Sequence, residues 1–174
     1  HHRVDGPMTS GGPAWWAGRI RQFRGHLGAT VSPGERSTLA GWLTPAQLLA
    51  FDAMAVADRR HGLDVMASLR IDGVDQPEVL IAGLLHDAGK GQTGVIPRVI
   101  HSLGGAYGSW IPGIARLVPG MAAPLDRLVT HPEQSAQIAL AAGCTARTAD
   151  LIRWQEAPRD AEFGERLRLA DEAN

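Results

Sequence analysis

The residues with the clearest chemical potential are His86 and Asp87, adjacent in Leu84-Leu85-His86-Asp87-Ala88-Gly89-Lys90. They close an apolar run, Val79-Leu80-Ile81-Ala82-Gly83-Leu84-Leu85. A buried segment that ends in an imidazole, a carboxylate and then a cation calls for a chemical partner. The simplest is a divalent ion, because imidazole and carboxylate are both first-row metal ligands. Further ligand-type side chains stand at His61, His131 and Asp171. Each falls on an expected helix or at a helix end, and metal sites inside helical bundles are assembled from such scattered side chains. Adjacent residues project about 100° apart on a helix. His86 and Asp87 therefore reach one ion only if the helix end is aimed at it or the backbone relaxes, which Gly89 makes easy.

The elements that must position these residues read as helices throughout. Residues 1–13 combine a tag remnant, His1-His2 with Arg3-Val4-Asp5-Gly6-Pro7, and a flexible Gly/Pro/Ser-rich start in which Met8 is the expected native first residue. Residues 14–43 form an N-terminal helical extension. Trp15, Trp16, Ile20, Phe23 and Leu27 recur there at near-helical spacing among Arg19, Arg21 and Arg24. Ser32-Pro33-Gly34-Glu35 is a capping box with proline at the first helical position, and Thr44-Pro45-Ala46-Gln47 repeats the device. Residues 44–174 form the main helical domain. One apolar stripe runs through residues 48–55 and another through 63–69. Asp75, Pro77 and Glu78 start a helix that runs to His86-Asp87 and stops at Gly89. Helices follow over 96–103 (broken by Gly104-Gly105), 109–117, 124–129 and 132–142. A helix capped by Thr145 and one over 161–174 complete the chain. No alternating β-branched pattern appears, so the expected fold is all-α, a single compact bundle. Met54, Met66 and the tryptophans are expected in its core, and His26 and His101 are expected to be structural or surface residues.

Composition narrows the function classes. The 174 residues suit one domain with its own core, with 44% apolar and 20% charged residues. Net charge is −1, from 17 basic against 18 acidic residues, which offers no global field for a nucleic-acid polymer. Cys144 is the only cysteine, which excludes an intramolecular disulfide and a cysteine-zinc cluster and fits a reducing, cytoplasmic setting. The longest uncharged stretch contains three glycines and a proline between residues 104 and 112, so no transmembrane helix is expected.

The order His, His-Asp, distant Asp resembles the HD-domain superfamily of metal-dependent phosphohydrolases. The residues that carry it are His61 in Asp58-Arg59-Arg60-His61, His86-Asp87 followed by Ala88-Gly89-Lys90, and Asp171 in Leu167-Arg168-Leu169-Ala170-Asp171. The resemblance covers about residues 45–174. It implies an all-α fold and one divalent metal (Mn, Fe, Co, Ni or Zn) held by His61, His86, Asp87 and Asp171. His131 in Thr130-His131-Pro132-Glu133 is similar to the extra histidine of two-metal branches. Those branches place further histidines roughly where this chain has Arg153-Trp154-Gln155-Glu156, and the Gly-Tyr-Pro signature of the cyclic-dinucleotide branch is absent. One metal is therefore expected rather than two, with Trp154 either in the core or walling the place of the second.

Such a set leaves a +2 ion formally neutralised. The expected activity is hydrolysis of a small phosphorylated, nucleotide-like monoester or diester. Asp87 (or Asp171) would act as general base, Lys90 as the cation facing the phosphoryl group, and His131 as phosphate binder or proton donor to the leaving oxygen. Arg59 and Arg60 are candidate phosphate anchors. The competing expectation is a catalytically weak HD domain that binds a phosphorylated ligand as a regulatory module. A third class, a two-iron oxygenase, requires a fuller histidine set. A homodimer is compatible with the sequence.

Overall fold

A computed structural model describes residues 29–174. Residues 1–13, the Trp15–Leu27 stripe and His26 lie outside the described residues. Among the described residues there are nine α-helices, one short 3-10 turn and no strand, so the all-α expectation holds.

Both capping boxes form. Ser32 Oγ accepts the Glu35 N–H at 3.2 Å while the Glu35 carboxylate accepts the Ser32 N–H at 2.9 Å, opening α1 (Pro33–Ala40). Thr44 and Gln47 make the same reciprocal pair at the start of α2 (Pro45–Ala53). Each box satisfies two backbone donors that a helix start otherwise leaves unpaired. Met54 is extended, and α3 (Val56–Ile71) follows on a new axis carrying His61.

Helix α4 (Pro77–Leu85) is the centre of the molecule. All seven residues from Val79 to Leu85 are buried, which is the expected state of a helix that is apolar on every side. Its cap residue is Gln76 rather than the expected Asp75. Phe51, Val65, Leu69, Ile152 and Leu167 pack around it from α2, α3, α8 (Ala146–Arg153) and α9 (Gly164–Ala173). His86 and Asp87 thus emerge from a fully buried helix.

Three expectations fail for identifiable reasons. Gly104-Gly105 does not end its helix: α5 runs Val95–Tyr107 and stops at Gly108, whose φ is 120°. Two interior glycines cost about 1 kcal/mol each relative to alanine, too little to break a packed helix. The expected helices over 124–129 and 132–142 are one, α7 (Ala122–Ala141), with Pro132 inside it. An interior proline costs about 3 kcal/mol or more. Here α7 packs against the 3-10 turn, α5 and α8, and that packing outweighs the cost. Trp110, at the start of the short α6 (Trp110–Ala115), is 63% exposed rather than in the core. Met54 and Met66 are buried as expected. No helix among the described residues is long and apolar enough to cross a membrane.

Candidate metal centre

Two glycines set the spacing of the site. A Cβ on Gly62 would lie 2.4 Å from the Leu84 carbonyl oxygen. Glycine at that position lets α3 press against the end of α4, and the rings of His61 and His86 meet edge to face with centroids 5.1 Å apart. The 3-10 turn Ala88–Lys90 is held in the same way against α7. A Cβ on Gly89 would lie 2.6 Å from the His131 carbonyl oxygen, and the Gly89 N–H donates to Ser135 Oγ at 2.8 Å. Helix α4 ends at Leu85, and Asp87 adopts φ −100°, ψ 5°. The backbone relaxation that a shared use of His86 and Asp87 requires is therefore present.

His61, His86 and Asp171 converge. His61 Nε2 lies 2.8 Å and His86 Nε2 3.2 Å from Asp171 Oδ1. One ligand-type atom from each of the three lies within 4.8 Å of the others. His86 is 1% exposed. Its Nδ1 contacts the Gly83 carbonyl at 2.9 Å, and since a carbonyl only accepts, Nδ1 carries the proton. Gly83 sits in the last turn of α4, where carbonyls run out of intrahelical donors. His86 Nε2 points inward, buried and without a hydrogen-bond partner of acceptable geometry. An inward Nε2 with the other ring nitrogen tied to a carbonyl is the arrangement of a histidine that ligates a metal once Nε2 gives up its proton. The donor set therefore fits a divalent transition metal.

The electrostatics are those of a buried, strongly coupled cluster. Burial opposes charge on His86, but the Asp87 and Asp171 carboxylates outweigh it and push the imidazole up to about 9. Burial likewise opposes the charge on Asp171, yet contacts from His61 and His86 hold the carboxyl well below the usual carboxylate range. Asp87 is also held low against its burial, by His86, Lys90 and His131. Both carboxylates are ionised and available as ligands or proton acceptors.

Asp87 faces two ways. Its Oδ1 is 3.5 Å from His86 Nε2 and 3.4 Å from His131 Nε2, and its Oδ2 takes Lys90 Nζ at 2.5 Å. It touches the trio but lies outside the tight cluster. His131 Nδ1 donates to the Leu128 carbonyl at 2.8 Å, and the Gln155 amide N–H meets His131 Nε2 at 3.1 Å. Thus His61, His86 and Asp171 stand together as expected, while Asp87, Lys90 and His131 form an adjoining group.

The structure adds residues that sequence reasoning missed. Gln155 is the inward residue after α8, and Trp154 turns outward, with the Arg159 guanidinium 3.3 Å from its ring centroid. Trp154 borders a surface cleft with Arg147, Asp150 and Asp160. Helix α8 stops at Arg153, so helical periodicity carries no information about which neighbour faces in. Asp58, 1% exposed, pairs with both Nη atoms of Arg98 at 2.6 and 2.7 Å. Arg98 Nε also donates to the Thr93 carbonyl at 3.0 Å, and Thr93 Oγ1 donates to the Lys90 carbonyl. This clip ties the loop after Lys90 to the first turn of α3. Asp58 lies three residues before His61, on the same helix face, and that spacing was its only sequence signal. Arg60 is held by Glu35 and Asp64 at 2.6 and 2.8 Å, and Arg59 lies 4.0 Å from Asp52. Arg60, expected as a phosphate anchor, is instead part of a peripheral ion-pair network. His101 lines a separate cavity with Gly104, Pro112, Arg116 and Leu125.

No known family model matches the chain, and neither a curated protein nor a solved structure matches it.

Proposed function

We propose that this protein is a divalent-metal-dependent phosphohydrolase of the HD-domain type, acting on a small, nucleotide-like phosphorylated substrate. One observation carries the reading: the buried, unpartnered Nε2 of His86, aimed between two carboxylates beside His61. His61, His86 and Asp171 would hold the ion, with Asp87 at its edge. A divalent ion in this place supplies Lewis-acid activation of water and of a phosphoryl oxygen. The chain supplies the proton traffic. The water oxygen bonds to phosphorus as the bond to the leaving oxygen breaks, and the water's proton passes to the Asp87 carboxylate. The Lys90 ammonium, held at Asp87, balances negative charge on the phosphoryl group. Asp87 Oδ1, 3.4 Å from His131 Nε2, passes the proton it received to that nitrogen, and His131 hands it to the leaving oxygen.

The test is a panel of phosphomonoesters and phosphodiesters assayed with Mn, Co, Ni and Zn. Turnover that depends on added metal and disappears in Asp171→Ala supports the reading, and full activity of metal-free protein contradicts it. A second reading, a regulatory module that binds a phosphorylated ligand without turnover, draws on the Lys90–Asp87 ion pair at 2.5 Å. An Asp87 permanently neutralised by Lys90 would be a poor base. Saturable ligand binding with no turnover under any metal would favour this alternative.

A further inference from the structure

Pro132 stands at the one place in α7 where a missing N–H acts directly on the site. In an α-helix the N–H of residue 132 bonds the carbonyl of residue 128. Proline has no N–H, and its ring crowds that same carbonyl. The Leu128 carbonyl is therefore deprived of its helical donor, and His131 Nδ1 contacts it at 2.8 Å. Because the carbonyl can only accept, the contact fixes the proton on Nδ1 and leaves the lone pair on Nε2. Nε2 is the nitrogen that faces Asp87 Oδ1 at 3.4 Å and the Gln155 amide at 3.1 Å. His86 is oriented by the same principle, through the Gly83 carbonyl at the end of α4. One carbonyl is freed by a helix terminus and the other by a proline.

We propose that Pro132 is a positioning residue, which frees the Leu128 carbonyl to lock His131 in the Nδ1–H tautomer with Nε2 turned towards Asp87. This explains why a helix that is otherwise continuous from Ala122 to Ala141 carries a proline next to a buried histidine. The tautomer assignment rests on geometry alone, whereas its use in proton transfer rests on the function proposed above.

The experiment reads the ring nitrogens of His131 directly, by NMR of full-length protein labelled with 15N in histidine, at a pH where the ring is neutral. The His131 signals are assigned with His131→Gln. In the unmodified protein the proton-bearing resonance belongs to Nδ1, and finding it on Nε2 overturns the proposal. Pro132→Ala restores an N–H aimed at Leu128. The expected result is a shift of His131 towards the Nε2–H form, or a mixture of the two, together with a raised melting temperature. Pro124→Ala, in the first turn of the same helix where no N–H partner is needed, leaves the tautomer in place. An unchanged tautomer in a folded Pro132→Ala overturns the proposal. Phosphatase assays on the same samples separate the two claims. A tautomer that moves in a protein without turnover refutes the function but not the positioning. An unmoved tautomer in an active enzyme does the reverse.

Discussion

The two halves of the site solve the same problem in opposite ways. In both, a histidine ties its Nδ1 to a backbone carbonyl and presents Nε2 inward, His86 through Gly83 and His131 through Leu128. Around His86 the inward nitrogen finds only carboxylate oxygens at 3.2 and 3.5 Å, without hydrogen-bond geometry. Around His131 the inward nitrogen has the Gln155 amide, and the neighbouring Asp87 has Lys90. One half leaves an inward ring nitrogen and a carboxylate for an ion to satisfy, the ion taking the place of the Nε2 proton. In the other, His131 Nε2 and Asp87 have partners from the chain, and the Gln155 Oε1 is the buried atom left without one. A buried polar atom without a partner costs free energy, so the unsatisfied half is where a bound ion adds most.

The largest expected effect separates these halves by mutation. Asp171→Ala should weaken binding of Mn or Zn at least about 100-fold in calorimetric titration, since it removes a ligand, and loss of an outer partner alone costs roughly 10–100-fold. His131→Ala should change the same affinity by less than about threefold. Equal losses in both variants would erase the distinction between the halves.

The next effect tests the packing that holds the halves in register. Gly62→Ala forces a Cβ into the Leu84 carbonyl at 2.4 Å, and Gly89→Ala forces one into His131 and Ser135 at 2.6 to 2.7 Å. Each should cost about 1–3 kcal/mol in chemical denaturation, the usual range for overpacking. Gly62→Ala should weaken metal uptake, because it parts His61 from His86. Gly89→Ala should spare uptake and lower turnover, because it displaces the Lys90 turn from α7.

A smaller effect is expected from Lys90→Met. Metal uptake should persist while kcat falls roughly tenfold, as the cation facing the phosphoryl group is lost. A rate increase would show that Lys90 holds Asp87 out of use, as the regulatory reading requires.

The smallest effect lies outside both halves. The Glu35 carboxyl is held down to about 2 by hydrogen bonds from Arg60 and from the Ser32 backbone and hydroxyl. A depressed carboxyl contributes stability that is present above its unfolded value near 4.5 and is lost as pH falls towards 2. Glu35→Gln should flatten that acid limb of the stability profile. Metal affinity at neutral pH should stay unchanged, although Arg60 adjoins His61. A changed affinity would extend the site to α1.

Much of this was legible before any coordinates. The Ser32 and Thr44 boxes name their own hydrogen-bond partners, so two helix starts were readable to the residue. The apolar run 79–85 announces a buried helix, and type and order mark His61, His86, Asp87 and Asp171 as candidate ligands, of which His61, His86 and Asp171 form the tight cluster. What was not legible has physical causes. The division of Asp87 between His86, His131 and Lys90 depends on how far the 3-10 turn swings off α4, which no pattern encodes. Gln155 lies beyond the end of α8, where periodicity lapses. Pro132 reads as a helix start by every local rule, and only the packing of α7 overrides it. Arg98 gave no signal because its partner, Asp58, is distant in sequence.

The central claim is that one ion sits among His61, His86 and Asp171. The most direct measurement is elemental analysis of the purified protein with the metal located by anomalous scattering from crystals. The account predicts one divalent transition metal per chain, bound to His61 Nε2, His86 Nε2 and Asp171, with His131 still on Gln155. Two ions bridged by Asp87 with His131 as a ligand, or no ion in crystals grown with excess Mn or Zn, would contradict it.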